Sequence, residues 1–119
     1  MKSREEKVIQ WIDENKSEIV RVTCDLIGIR SVSGREDSNE QYEKAAGYFK
    51  NEFAKFGATV QTFADEPFGG KNVAAVLKGT QSNKTLGLGG HMDVVSADES
   101  DWNVYGFTPV VTEECIIGR

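Results

Sequence analysis

The sequence predicts an α/β fold in which helices come first and strands follow. Apolar residues recur at helical spacing up to Phe56, and after Gly57 the pattern changes to the alternation of a strand. Glycine-rich and polar turns separate the later segments. Because no repeat or linker is visible, we expect residues 1–119 to form one uninterrupted portion of an α/β domain.

Two amphipathic helices are expected in the first part of the chain. Ser3 and Glu6 have the spacing of a capping box at the start of the first helix. The second begins near Ser17, and its apolar residues fall on one face. These residues are Ile19, Val22, Thr23, Leu26 and Ile27. The segment Ser31-Val32-Ser33-Gly34 then breaks the helical pattern.

The third helix is expected to begin at a cap formed by Asp37 or Ser38 and to end before Gly57. It carries an apolar stripe made of Tyr42, Ala45, Ala46, Phe49, Phe53 and Phe56. We interpret this stripe as core rather than as a cofactor-binding surface, because one apolar face at helical spacing normally packs against the rest of a domain.

Four strands are expected in the second half of the chain. Their ranges are 58–63, 72–77, 85–93 and 110–117. In the third strand, glycines at 87 and 89 alternate with leucines, so one face of the strand is nearly bare. A bare face allows another backbone or a helix to approach closely.

The composition argues against several classes of partner. The chain has 19 acidic and 14 basic residues, a net charge of -5, and no run of lysine or arginine that predicts nucleic-acid binding. No stretch approaches the roughly 20 apolar residues that cross a bilayer, so no membrane partner is expected. The first residues lack the apolar core of a secretory signal, which predicts a cytoplasmic protein.

The two cysteines predict neither a disulfide framework nor a zinc knuckle. Cys24 and Cys115 are far apart, and neither belongs to a Cys-x-x-Cys pair. We therefore expect both to be small buried hydrophobic residues in a reducing compartment.

The chain has one histidine, His91, near the end of the predicted third strand. The strand period of two places His91 and Asp93 on the same face. An imidazole that binds a metal through one nitrogen often has a carboxylate partner on the other. On spacing alone, however, a structural histidine is the more frequent explanation of a His-x-Asp pair.

A wider set of residues resembles one family. The segment Gly90-His91-Met92-Asp93-Val94-Val95 is followed by Trp102, Gly106-Phe107 and Ile116-Ile117-Gly118-Arg119, and it is preceded by Ser31-Val32-Ser33-Gly34, Phe56-Gly57 and Asn72-Val73. Together these residues resemble the acetylornithine deacetylase / succinyl-diaminopimelate desuccinylase / aminoacylase family of dinuclear zinc hydrolases (metallopeptidase family twenty). The resemblance covers nearly the whole chain. Loop residues Ser96, Gly106 and Glu113-Glu114 depart from the family's usual Pro, Pro and Asp-Gly, which bears on the subfamily.

The resemblance implies the amino-terminal part of a three-layer α/β/α zinc-peptidase-like catalytic domain with an incomplete sheet. His91 matches the first zinc ligand, and Asp93 matches the aspartate that orients this histidine. The implied cofactors are two zinc ions, with cobalt or manganese as possible replacements. The implied substrate is an N-acyl amino acid or a small peptide, and the whole enzyme would be a candidate homodimer. The family's lid and dimerisation domain and its remaining catalytic residues would lie beyond Arg119.

One histidine does not complete a catalytic zinc site, which usually has about three protein ligands. We therefore expect the chain alone to be inactive. Glu113 and Glu114 are further carboxylates, but acidic turn residues are normally solvated. The alternative is a non-catalytic relic or a partner-dependent binding module, in which His91 has lost its role.

Overall fold

The structure, a computed structural model, describes residues 1–65, 70–80 and 83–119. The elements run in the order α1 (Arg4–Glu14), α2 (Lys16–Ile27), α3 (Ser38–Lys55), β1 (Thr59–Asp65), β2 (Gly70–Val76), a 3-10 turn (Glu99–Asp101), β3 (Val110–Val111) and β4 (Ile116–Ile117). The described residues form two compact units. One contains Met1–Gly28 and Ala97–Arg119, and the other contains Ile29–Ser96.

The mixture of helices and strands agrees with the α/β expectation at a coarse level. The strands of the described residues form two two-stranded antiparallel sheets, β1-β2 and β3-β4. The three-layer catalytic domain and its division from a lid domain stay predictions. Over the described ranges, we find no helix with both the length and the apolar character that a membrane span requires.

The capping box predicted at α1 is confirmed. The Ser3 hydroxyl accepts a hydrogen bond from the Glu6 amide at 3.1 Å, and the Glu6 carboxylate accepts one from the Ser3 amide at 2.7 Å. The two bonds satisfy amides at the helix start that have no partner within the helix. At the other end, Asn15 separates α1 from α2, and its amide bonds to the carbonyl oxygens of Trp11 and Ile12.

The predicted single strand over 110–117 is wrong, because the structure has a short hairpin there. Val110 pairs with Ile117 and Val111 with Ile116 in antiparallel register. The Thr112 hydroxyl accepts a hydrogen bond from the Cys115 amide at 3.0 Å, which closes a tight turn in the middle of the segment. A polar residue that bonds to its neighbours' backbone competes with the strand ladder, and this explains the reversal.

The expectation that both cysteines are buried is also wrong. Cys115 lies in the hairpin turn and is exposed, while Cys24 on α2 is partly buried. In the same unit Phe107 is buried, and the Arg119 guanidinium lies 5.3 Å from the centre of the Trp102 ring.

The second unit consists of α3 and the β1-β2 hairpin. The hairpin register runs from Thr59 opposite Val76 to Asp65 opposite Gly70. Two members of the predicted apolar stripe of α3, Ala45 and Ala46, are 2% exposed and form the centre of the small core. The expectation that the whole stripe is core is therefore confirmed only in part, since Phe56 is 63% exposed.

The ends of α3 agree with the sequence in part. Asp37 occupies the cap position, but its side chain makes no capping hydrogen bond and instead pairs with Arg30 and Arg35. Gly57 follows the last turn with φ of +75°, a backbone conformation that favours glycine.

The predicted third strand over 85–93 is wrong for the described chain. No ladder forms there, and an isolated parallel bridge joins Val94 to Val32. Residues between Leu88 and Asp93 line two open grooves of about 340 and 330 Å³. The other lining residues of each groove belong to α3 and β2. A strand exists only when a neighbour satisfies its backbone groups, and no described residue pairs with this segment in a ladder. A Cβ atom added at Gly87 or Gly89 would contact nothing within 4 Å, so the expected close approach is also absent among the described residues.

Candidate functional site

His91 and Asp93 lie against each other, although the strand that was predicted to place them on one face does not form among the described residues. The imidazole Nδ1 is 2.7 Å from the Asp93 carbonyl oxygen and 3.4 Å from the Asp93 carboxylate Oδ1. Both side chains are solvent-accessible, with 83% of the His91 side chain and 52% of the Asp93 side chain exposed. The pair is therefore open to a ligand from solution.

The carbonyl and carboxylate oxygens of Asp93 both face Nδ1 and together determine which nitrogen of His91 carries the proton. A carbonyl oxygen only accepts hydrogen bonds, so Nδ1 must be the donor. In the neutral ring, Nε2 then has a free lone pair. This is the arrangement of a metal-binding histidine whose second nitrogen is fixed by the protein.

A short segment after α2 anchors the residues around Asp93. Val94 donates an amide hydrogen bond to the Ser31 carbonyl at 2.9 Å, and Ser33 donates one to the Val94 carbonyl at 3.1 Å. The Ser31 hydroxyl donates to the Met92 carbonyl at 2.7 Å, and the Ser33 hydroxyl donates to Asp93 Oδ2 at 2.7 Å. Three consecutive residues, 92 to 94, are thus each bonded to the segment Ser31–Ser33.

The hydrogen bond from Ser33 is the largest influence on the acidity of Asp93. The hydroxyl donates to the charged carboxylate and lowers the pKa of Asp93 below its ordinary value. Partial desolvation opposes this effect, and the nearby His91 adds a smaller lowering. Asp93 is therefore a carboxylate at neutral pH and an acceptor for neighbouring donors.

The anchoring segment is itself held in a defined turn. The buried Ser38 hydroxyl donates to the Val32 carbonyl at 2.7 Å and accepts from the Arg35 amide at 2.8 Å. Between them Gly34 has φ of +77°, a conformation that side-chain-bearing residues rarely adopt. The start of α3 therefore fixes the backbone that holds Asp93.

Polar side chains from α3 and β2 line the groove beside His91. Tyr42, Lys71 and Asn72 border it together with His91 and Asp93. The Lys71 ammonium pairs with Glu43 at 2.8 Å, so its charge is already matched by an acidic residue of α3. The groove is open, and its lining combines these polar side chains with the apolar Val73 and Met92.

His91 fits the role of one metal ligand, but the described residues hold no complete metal site. Across residues 1–65, 70–80 and 83–119, no group of three or more His, Cys, Asp and Glu side chains could hold a metal ion. Glu113 and Glu114 follow the turn residue Thr112 and are exposed. Neither belongs to a group of three or more possible metal ligands among the described residues.

Sequence reasoning singled out His91 and Asp93 but not the roles of Ser31 and Ser33. The two serines flank Val32 in the segment Ser31-Val32-Ser33-Gly34, which breaks the helical pattern and is also part of the family resemblance. The partners of the two serines are 61 and 60 residues away in the sequence. A local sequence pattern carries no information about contacts between residues that are so far apart in the chain.

Comparison with known proteins gives one weak relative. Over 117 residues, or 96% of this chain, the sequence is 31% identical to N-formyl-4-amino-5-aminomethyl-2-methylpyrimidine deformylase of Halalkalibacterium halodurans. The match covers 26% of that protein, so the chain spans about a quarter of the length of the curated relative it matches. No protein-family model matches the chain, and no solved structure matches it significantly.

Proposed function

We propose that this chain is the amino-terminal part of a metal-dependent hydrolase that cleaves an amide bond. The observation that carries the proposal is the geometry of His91: Nδ1 lies 2.7 Å from the Asp93 carbonyl oxygen, and 83% of the side chain that carries Nε2 is exposed. The relative supports the reaction class, because its name describes the removal of a formyl group from an amine. The resemblance of the sequence motifs to the dinuclear zinc hydrolases supports the metal.

His91 would hold one ion through Nε2, and Asp93 would keep the imidazole in the tautomer that binds. The further ligands would come from outside the described residues, since these contain no cluster of three. A bound zinc ion, or cobalt or manganese in its place, would polarise the amide carbonyl and lower the pKa of a bound water.

The proposed substrate is a small N-acylated amine, either an N-acyl amino acid or small peptide, as the motifs imply, or a formylated amine like that named for the relative. The open polar groove beside His91 is compatible with a molecule of this kind. A cytoplasmic location and a homodimeric whole enzyme remain part of this proposal. We propose neither nucleic acid nor membrane as a partner.

Zinc titration followed by calorimetry and by the NMR signals of His91 tests the metal role. We expect the wild-type chain to bind zinc weakly, with the change concentrated at Nε2, because one imidazole supplies only part of a site. The His91→Ala variant should lose this binding. A double variant, Glu113→Gln with Glu114→Gln, is the matched control and should bind as the wild type does.

Equal zinc binding by the wild type and His91→Ala would contradict the assignment. Absence of any zinc effect on the His91 ring would favour the relic or binding-module alternative. Loss of binding in the glutamate double variant would instead place the metal at the hairpin turn.

A further inference from the structure

We propose that Ser33 is a positioning residue that fixes the orientation of the Asp93 carboxylate and, through it, that of His91. The inference rests on the proposed metal role of His91 and deepens it. Asp93 has two carboxylate oxygens, and they have different partners. Oδ2 accepts from the Ser33 hydroxyl at 2.7 Å, while Oδ1 faces the His91 ring at 3.4 Å.

The hydrogen bond from Ser33 restricts rotation of the carboxylate. With 52% of its side chain exposed, Asp93 is not held by packing, so a directional contact must select its rotamer. A hydroxyl that donates to an ionised carboxylate forms one of the stronger hydrogen bonds in proteins. Because Oδ2 is held, Oδ1 stays directed toward Nδ1 of His91.

The backbone near Ser33 makes this hydroxyl a rigid support. Ser33 also donates its amide to the Val94 carbonyl at 3.1 Å, so the residue is bonded to both Asp93 and Val94. The preceding Val32 is buried, and its carbonyl accepts from Ser38 at the start of α3. A hydroxyl on such a fixed backbone positions its partner more accurately than one on a free loop.

Two substitutions separate positioning from a general structural effect. Ser33→Ala removes the hydroxyl, and Ser33→Thr keeps it on a similar backbone position. Ser17→Ala removes an exposed hydroxyl of α2 and serves as the control. Because the chain has one histidine, its ring nitrogens give unambiguous NMR signals without any metal.

The first measurement is the ring ¹⁵N shifts of His91 in the metal-free chain at one fixed pH. We expect Ser33→Ala to increase the share of the tautomer protonated at Nε2, and Ser33→Thr to restore the wild-type shifts. An unchanged ring in a folded Ser33→Ala chain would overturn the positioning inference. So would a change that Ser33→Thr fails to reverse, because the hydroxyl would then not be the cause.

The second measurement is zinc affinity, which separates this inference from the proposed function. Changing a residue bonded directly to a metal-binding histidine costs about 10–100-fold in affinity, and Ser33 acts one bond further away, so we expect about a fivefold loss in Ser33→Ala. A changed ring without any His91-dependent zinc binding would support the positioning role and contradict the metal role. Unchanged zinc affinity beside a changed ring would overturn the claim that the positioning serves metal binding.

Discussion

The hydroxyl of Ser31 donates a hydrogen bond to the carbonyl oxygen of Met92 at 2.7 Å, across 61 positions of sequence. Ser31 is 4% exposed, and its backbone carbonyl accepts from Val94 in the same contact. The bond therefore lies in the part-buried junction between the segment after α2 and the residues that follow His91. It is one of the few long-range contacts that locate the candidate site.

Removal of this hydroxyl should destabilise the chain. In Ser31→Ala the part-buried Met92 carbonyl loses its donor, which should lower the free energy of unfolding by about 1–2 kcal/mol. Denaturant unfolding measures the change. The exposed Ser17→Ala should remain within about 0.5 kcal/mol of the wild type. Equal stability of the two variants would show that water replaces the Ser31 hydroxyl without loss.

Replacement by alanine should change the free energy of unfolding in opposite directions at two glycines that have open space for a Cβ atom, Gly34 and Gly47. Neither has an atom within 4 Å of an added Cβ, but Gly34 has φ of +77° while Gly47 lies inside α3. Gly34→Ala should therefore cost about 1–2 kcal/mol of unfolding free energy through backbone strain. Gly47→Ala should gain about 0.5–1 kcal/mol, because glycine is unfavourable within a helix. Denaturant unfolding of both variants tests the pair, and a shared sign would contradict it.

Gly118 and Ile27 should show energetic coupling within the first unit. A Cβ at Gly118 would lie 2.5 Å from Ile27 Cγ2 and 3.0 Å from its Cδ1. We expect Gly118→Ala to cost about 1–3 kcal/mol through overpacking. The same change should cost less in an Ile27→Ala background, where the clashing atoms are gone. A double-mutant cycle on unfolding free energies measures this coupling, and additive effects would refute it.

The lowered pKa of Asp93 predicts a pH-dependent contribution from Ser33. Because the folded carboxyl has a lower pKa than the unfolded one, its stabilising effect is complete above the ordinary value of 3.8 and is lost as the pH falls through the folded pKa. The stability difference between the wild type and Ser33→Ala should therefore be constant near neutral pH and shrink in acid. Denaturant unfolding across this range checks the sign. A difference that grows in acid would contradict the cause assigned to the shift.

The local elements were predictable because their signals lie within a few residues. The Ser3–Glu6 capping box, the start of α3 near Ser38 and the glycine after its end follow from spacing and turn chemistry. The antiparallel β1-β2 hairpin likewise joins neighbouring segments. The contact between His91 and Asp93 is present, but the strand on which its prediction rested does not form among the described residues.

The errors concern interactions whose partners are remote or compete locally. Residues 85–93 have the composition of a strand, but a ladder needs a neighbour, and none of the described residues provides one. At 110–117, the Thr112 hydroxyl turned an apparent strand into a hairpin. The support of Asp93 by Ser33 was missed because nothing near residue 33 indicates a partner at residue 93.

Hydrolysis by a full-length protein that contains this chain tests the central proposal most directly. N-acyl amino acids, dipeptides and a formylated aminomethylpyrimidine should be offered, and release of the free amine measured. We expect turnover of at least one substrate, abolished by a metal chelator, restored by zinc, and lost in His91→Ala but not in Ser17→Ala. Absence of turnover across all three classes, or activity that survives both the chelator and His91→Ala, would contradict the proposal.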